Sequence, residues 1–274
     1  YYAFMRERFG LDQPVLGQLA TYFSRVAAGD LGQSFVHGRG TAEVILERAP
    51  ATLLLTGTAL TIAIIASIPL GALAARRPNS AGDLGINAAA LALDSAPAFW
   101  VAQMAIIVAA IGLGLVPVQG MTDAGRTAVG LERVADIARH LVLPALVLAS
   151  HEMAVLIRLT RSGLIDELGR DHIRTARAKG VSERSVLLRH AMRRAIVPAI
   201  TVIGARVGHL LAGAAVVEIV FGWPGIGRLL LTSLQTRDTP ILLGIFMVVA
   251  LMVVVANLIT DLVHAALDPR VSNR

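Results

Sequence analysis

Two stretches of this chain run without a charge for longer than a soluble fold requires: 27 residues separate Arg48 from Arg76, and 22 separate Asp238 from Asp261. At about 1.5 Å of rise per residue, either stretch can cross roughly 30 Å of hydrocarbon as a helix. With 55% hydrophobic and only 16% charged residues in 274, and a mean hydropathy of +0.67, the chain reads as a membrane protein built from helices.

Helical spans are expected near residues 50 to 75, 84 to 113, 141 to 157, 196 to 217 and 240 to 264. Asp94 and Pro97 interrupt the second, Pro144 and Glu152 the third, Pro198 and Arg206 the fourth. Such interruptions fit helices that face a protein interior or a water-filled path. Segments 76 to 83, 158 to 194 and 265 to 274 hold fourteen Lys or Arg against six acids, whereas 1 to 49, 114 to 140 and 218 to 239 are balanced. Basic loops are retained in the cytoplasm, which places the 158 to 194 loop and the tail from 265 to 274 there. Residues 1 to 49 then lie outside, ahead of a transmembrane domain from 50 to 264. That segment has no signal-peptide core and opens on Tyr1, so a first transmembrane helix is expected before it.

Several function classes lack their parts. With no cysteine there is neither a thiolate nucleophile nor a thiolate metal site. No GxSxG occurs, and His151-Glu152 does not extend to HExxH, so no catalytic residue or metal ligand set is assigned. No GxxxxGK[ST] phosphate loop exists, and the only lysine is Lys179. The net charge of +6 is not gathered on a soluble face with interleaved aromatics, so nucleic acid is not an expected partner. An ion-driven secondary transporter could use Asp94, Glu152 and Arg206 as a proton relay, but it predicts internal repeats between halves, which the sequence does not show.

The connection from 158 to 194 contains no proline and three glycines, Gly163, Gly169 and Gly180. It predicts a helix over 163 to 179, a left-handed break at Gly180, and a second helix capped by Ser182, with Glu183 in its first turn and Val186 to Ala195 continuing it. Composition alone also allows an amphipathic pair lying on anionic lipid, held by its arginines.

Sequence detail goes further. The stretch Asp171-His172-Ile173-Arg174-Thr175-Ala176-Arg177-Ala178-Lys179-Gly180 resembles the loop signature of binding-protein-dependent ABC importer permeases, in the form of the dipeptide and oligopeptide subfamily. Similar to that subfamily in order along the chain are Gly29-Asp30-Leu31-Gly32-Gln33-Ser34-Phe35, Glu47-Arg48-Ala49-Pro50-Ala51-Thr52-Leu53, Ala96-Pro97-Ala98-Phe99-Trp100, Glu218 to Gly227 and Leu267-Asp268-Pro269-Arg270. The resemblance implies an all-α, type I importer transmembrane domain in the bacterial inner membrane, with five of six helices present and the C-terminus cytoplasmic. It implies a second homologous permease, two cytoplasmic ATPases that bind ATP and Mg, and an external solute-binding protein, with no cofactor on this chain. The cargo implied is di- or oligopeptides, with nickel, metal chelates or glutathione as alternatives.

By the same resemblance Asp171, Arg174, Thr175, Ala176, Lys179 and Gly180 couple the chain to the ATPase. The broad signature begins Glu-Ala-Ala, where this chain has Arg174-Thr175-Ala176, so the opposing ATPase surface should be acidic or neutral. Within the membrane, Asp94, about ten residues and roughly 15 Å from the cytoplasmic edge, either lines the path or serves structure, as a partner for Arg206 or in a hydroxyl network. Glu152 and Arg206 face the same choice between substrate contact and a buried pair. Gly204, Gly208 and Ala212 form a small-residue seam for helix packing. Outside, Trp223-Pro224-Gly225 predicts a tight turn with an aromatic at the membrane interface, and by resemblance a contact for the binding protein.

Overall fold

The computed structural model describes residues 14 to 125 and 129 to 267. Ten helices follow along the chain among the described residues: α1 Val15–Ala27, α2 Thr41–Arg76, α3 Ala81–Ser95, α4 Ala98–Gly112, α5 Leu131–Leu168, α6 Asp171–Ala178, α7 running from Glu183 to Ala195, α8 Val197–Val220, α9 Ile226–Thr236 and α10 Thr239–Leu267. The end of α4 (Ile106–Gly112) and the middle of α7 (Val186–Ala191) are wound as π-helix. α2, α5 and α10 are each long and apolar enough to span a membrane. Two bent pairs, Ala81–Ser95 with Ala98–Gly112 and Glu183–Gly204 with Arg206–Val220, bring the number of spans to five.

The second span is not one rod, as the sequence predicts, but two helices meeting at 106°. Pro97 disfavours the helical region for the residue before it, and Ala96 is extended at φ −79°, ψ 135°. The break frees carbonyls at the end of α3. His151 Nε2, 3.1 Å from the Ala96 oxygen, donates to one of them from α5. α2 begins at Thr41, nine residues ahead of the predicted span, and runs through Pro50 and Pro69.

The core is a seam between α2 and α5. Ala59, Ala63, Ser67 and Gly71 recur every fourth residue of α2 and are all buried, so the two backbones approach closely. A Cβ on Gly71 would lie 2.7 Å from Thr160 Cβ and 2.9 Å from the Ile157 carbonyl oxygen. α4 and α8 complete this core through Ala102, Ile106, Leu210, Ala214 and Val217. The predicted seam on α8 is partly right: Gly204 meets Thr260 of α10, where a Cβ would fall 2.3 Å from Cγ2, and Gly208 faces Val253, but Ala212 is exposed.

Candidate functional site

The loop after α5 is where the resemblance puts function, and its residues build a small, separately packed projection. α5 continues to Leu168, so the helix expected over 163 to 179 is in fact two. Gly169 ends α5, Arg170 is extended at φ −77°, ψ 153°, and α6 starts at Asp171. Asp171 sits in the first turn and Arg177 in the last, both favourable to the helix dipole. Ile173, fully buried, plugs α6 into a cluster made by Ala72 and Ala75 of α2, Leu164 of α5, and Val186, Ala191 and Ala195 of α7. Asp171, Arg174, Thr175, Lys179 and Gly180 face outward, and Ala176 is half-buried.

Gly180 does what the sequence predicts. At φ +78° it occupies the left-handed region that only glycine enters cheaply. Its N–H donates to the Arg177 carbonyl at 2.9 Å, and the Val181 N–H donates to the Ala176 carbonyl at 3.2 Å, the pair of bonds that defines a Schellman stop. Across this turn Arg177 holds Glu183 through two hydrogen bonds of 2.7 and 3.2 Å. That hydrogen bond, more than charge attraction, holds the Glu183 carboxyl below its ordinary range and raises Arg177. Ser182 stands at the cap position in extended conformation, but its side chain makes no capping bond. The Arg177–Glu183 pair ties the two sides of the turn together instead, without capping the start of α7.

Inside the membrane the charged residues pair with one another. Arg206 of α8 donates to Glu152 of α5 at 2.6 Å, with the Glu152 side chain 8% exposed and that of Arg206 28%. Asp94 does not meet Arg206; its partner is Arg158, at 2.8 Å. Arg158, predicted to begin the loop, lies inside α5, ten residues before its end. Asp83 of α3 accepts a forked pair of hydrogen bonds from Arg161 at 2.5 and 2.6 Å. All three ion pairs converge on α5. A separate apolar groove of about 770 Å³ between α2, α5, α8 and α10, lined by Leu60, Ile64, Ile203 and Val255 among others, has no charged group in its lining with which to recognise peptide termini.

At the end of the bundle opposite that loop the expected interfacial aromatic is internal. Trp223 is fully buried, and its indole Nε1 donates to the Ala51 carbonyl at 2.8 Å. Gly225 is buried as well, and only Pro224 of the three is partly open. In this conformation Trp223 and Gly225 are enclosed within the chain and hold the turn together. The node beneath them was not read from the sequence. Glu218, fully buried, accepts from Thr52 Oγ1 at 2.6 Å, from the Gly227 N–H at 2.7 Å and from the Arg228 N–H at 3.3 Å, so it caps the start of α9. A second cluster, Asp123, Asp136 and His140, closes largely on itself. Asp136 accepts the Asp123 N–H at 3.0 Å, and the His140 Nδ1–H donates to the Asp136 carbonyl at 2.9 Å, stapling the preceding loop to α5.

The family described as binding-protein-dependent transport system inner membrane component matches residues 67–273. The chain is 39% identical over 266 residues to the oligopeptide transport system permease protein AppB of Bacillus subtilis, covering 97% of this chain and 83% of the relative. It is 38% identical to the dipeptide transport system permease protein DppB of Escherichia coli over 282 residues, with the same coverage. It is also 38% identical to the glutathione transport system permease protein GsiC of E. coli over 267 residues, again at 97% and 83%. The fold matches that of the inward-facing MetNI methionine ABC transporter with a TM-score of 0.66 at 14% identity, over 82% of this chain and 96% of that one. With its five spans, its internal ion pairs and its projecting loop, the chain belongs to the family of inner membrane components of binding-protein-dependent transport systems.

Proposed function

We propose that this chain forms half of the translocation path of an ATP-driven importer for di- and oligopeptides, and that α6 with its Gly180 stop is the element that receives movement from a partner ATPase. The observation that carries the reading is the mounting of α6. One fully buried anchor, Ile173, fixes it to the membrane core, while Arg174, Arg177 and Lys179 stand outward. A basic face on a short, rigidly terminated helix suits an acidic groove on a cytoplasmic partner. The chain hydrolyses no ATP itself in this reading. ATP and Mg belong to two partner ATPases, a second permease completes the path, and an external binding protein delivers the cargo, with the loop and the C-terminus in the cytoplasm. The peptide substrate is supported by the names of the relatives AppB and DppB. Glutathione, itself a tripeptide, is the second reading, favoured by the likeness to GsiC.

The test is ATP hydrolysis by the reconstituted complex with its binding protein and a panel of di-, tri- and oligopeptides and glutathione, comparing the parent with an Arg174→Glu, Gly180→Pro variant. Loss of ligand-stimulated turnover with intact assembly is expected, and the most stimulating compound identifies the substrate class. Undiminished stimulation in the variant would remove the coupling role from this loop.

A further inference from the structure

Glu167 was not among the residues singled out in the sequence, yet it holds the most crowded charge position of the loop. It ends α5 one residue before the break, and its side chain is 9% exposed. Around that carboxylate stand three cationic or titratable groups from three different segments: Arg170 Nε at 3.0 Å from the linker, His172 Nε2 at 3.1 Å from α6, and Arg194 at 3.8 Å from the end of α7. A nearly buried carboxylate is costly unless it is paired, and here the loop supplies all the compensation. Next to it the backbones touch. A Cβ on Gly163 would lie 2.5 Å from the Ala195 carbonyl oxygen, so α5 and α7 cannot slide past one another without opening the joint.

The three contacts are ion pairs at close range and none is a hydrogen bond as it stands, and the gap is sharpest at one of them. His172 Nε2 and Glu167 Oε1 are close, but both are buried without a hydrogen-bond partner, because the approach is off the hydrogen-bonding angle. Buried polar atoms are satisfied in the great majority of cases. A small rotation of α6 about its Ile173 anchor would align these two.

We propose that Glu167 is the positioning residue of the loop. Its carboxylate locks the linker, α6 and α7 to the end of α5, and the bond to His172 closes when the ATPase engages α6, so that loop and α5 then move as one body. This rests on the coupling reading above and goes beyond it, since it names the joint through which movement leaves the loop.

The experiment uses the full complex reconstituted with both ATPases and the binding protein, driven by the most stimulating compound of the panel. Glu167→Gln, Glu167→Asp and His172→Asn are compared by the ratio of stimulated to basal ATP hydrolysis and by retention of the ATPases on purification. The ratio is expected to fall about five-fold in Glu167→Gln and about two-fold in His172→Asn, and to recover in Glu167→Asp, which keeps the charge. His172 is one-third exposed, so its variant stays informative if Glu167→Gln fails to assemble. An unchanged ratio in Glu167→Gln overturns the proposal. So does an equal loss in Glu167→Asp, which would mark Glu167 as a packing residue, or an unchanged ratio in His172→Asn. The Arg174→Glu, Gly180→Pro variant separates the two ideas: if it keeps full stimulation, the coupling reading itself fails.

Discussion

Thr52 shows how much of the architecture around the Trp223 turn hangs on single atoms. Its hydroxyl donates to Glu218 and accepts the Ile226 N–H at 2.8 Å, so one side chain joins α2, α8 and α9. Thr52→Val keeps the shape and removes both bonds, leaving a buried carboxylate oxygen and a buried N–H short of a partner. Such groups cost about 1–3 kcal/mol each when unmade, and thermal unfolding of the purified complex should show the loss. Gly225 offers a steric counterpart. A Cβ there would lie 2.1 Å from Glu218 Oε1, so Gly225→Ala is expected to destabilise by about 1–3 kcal/mol through overpacking. In the loop, Glu183 has a depressed carboxyl value in the folded state, so its bond to Arg177 is fully present at neutral pH. The bond is lost only as the pH falls through that depressed value, below the ordinary 4.5. Amide exchange at Gly180 and Val181 should therefore be faster in Glu183→Gln than in the parent at pH 7, and the two should converge in acid.

Whole helices were legible where one physical quantity decides them. Uninterrupted apolar length placed the first and last of the five spans, predominantly apolar runs broken by single charges placed the other three, and a glycine followed by a cap residue placed the Gly180 turn. What failed to show was decided by partners distant in sequence. α9 is only eleven residues, too short for the apolar-length signal, and its start is capped by Glu218 and Thr52 from other helices. The kink at Ala96 was signalled by Pro97, but its tolerance depends on His151 on a different helix. His151→Ala leaves the Ala96 carbonyl unpaired and is expected to cost about 1–3 kcal/mol, visible as a lower unfolding temperature, whereas a surface control such as Leu188→Ala is not. Glu152 with Arg206 was among the readings left open, and Asp94 with Arg158 was missed because Arg158 had been assigned to the loop. Glu167 carried no local signal at all. Its partners lie three, five and 27 residues away, and only the folded loop assembles them.

Across the molecule the ion pairs share one helix, since Asp83, Asp94 and Arg206 from α3 and α8 all reach residues of α5. If the Glu152–Arg206 pair tethers α8 to α5, then Glu152→Gln and Arg206→Met should each destabilise the complex, and the double variant should lose less than the sum of the two single losses. A double-mutant cycle should return a coupling energy of about 1 kcal/mol, toward the low end because Arg206 is partly exposed.

α5 also has a mechanical consequence through its length. Its 38 residues rise about 57 Å, nearly twice the roughly 30 Å of hydrocarbon it crosses. One end is gripped by the loop that carries α6, and the other carries Asp136 and His140 on the opposite side of the molecule. Such a member is a lever whose arms reach both aqueous faces. A tilt of roughly 5° about a mid-membrane fulcrum moves its two ends by about 2.5 Å each in opposite directions, widening the space at one side while narrowing it at the other, with no helix needing to unwind.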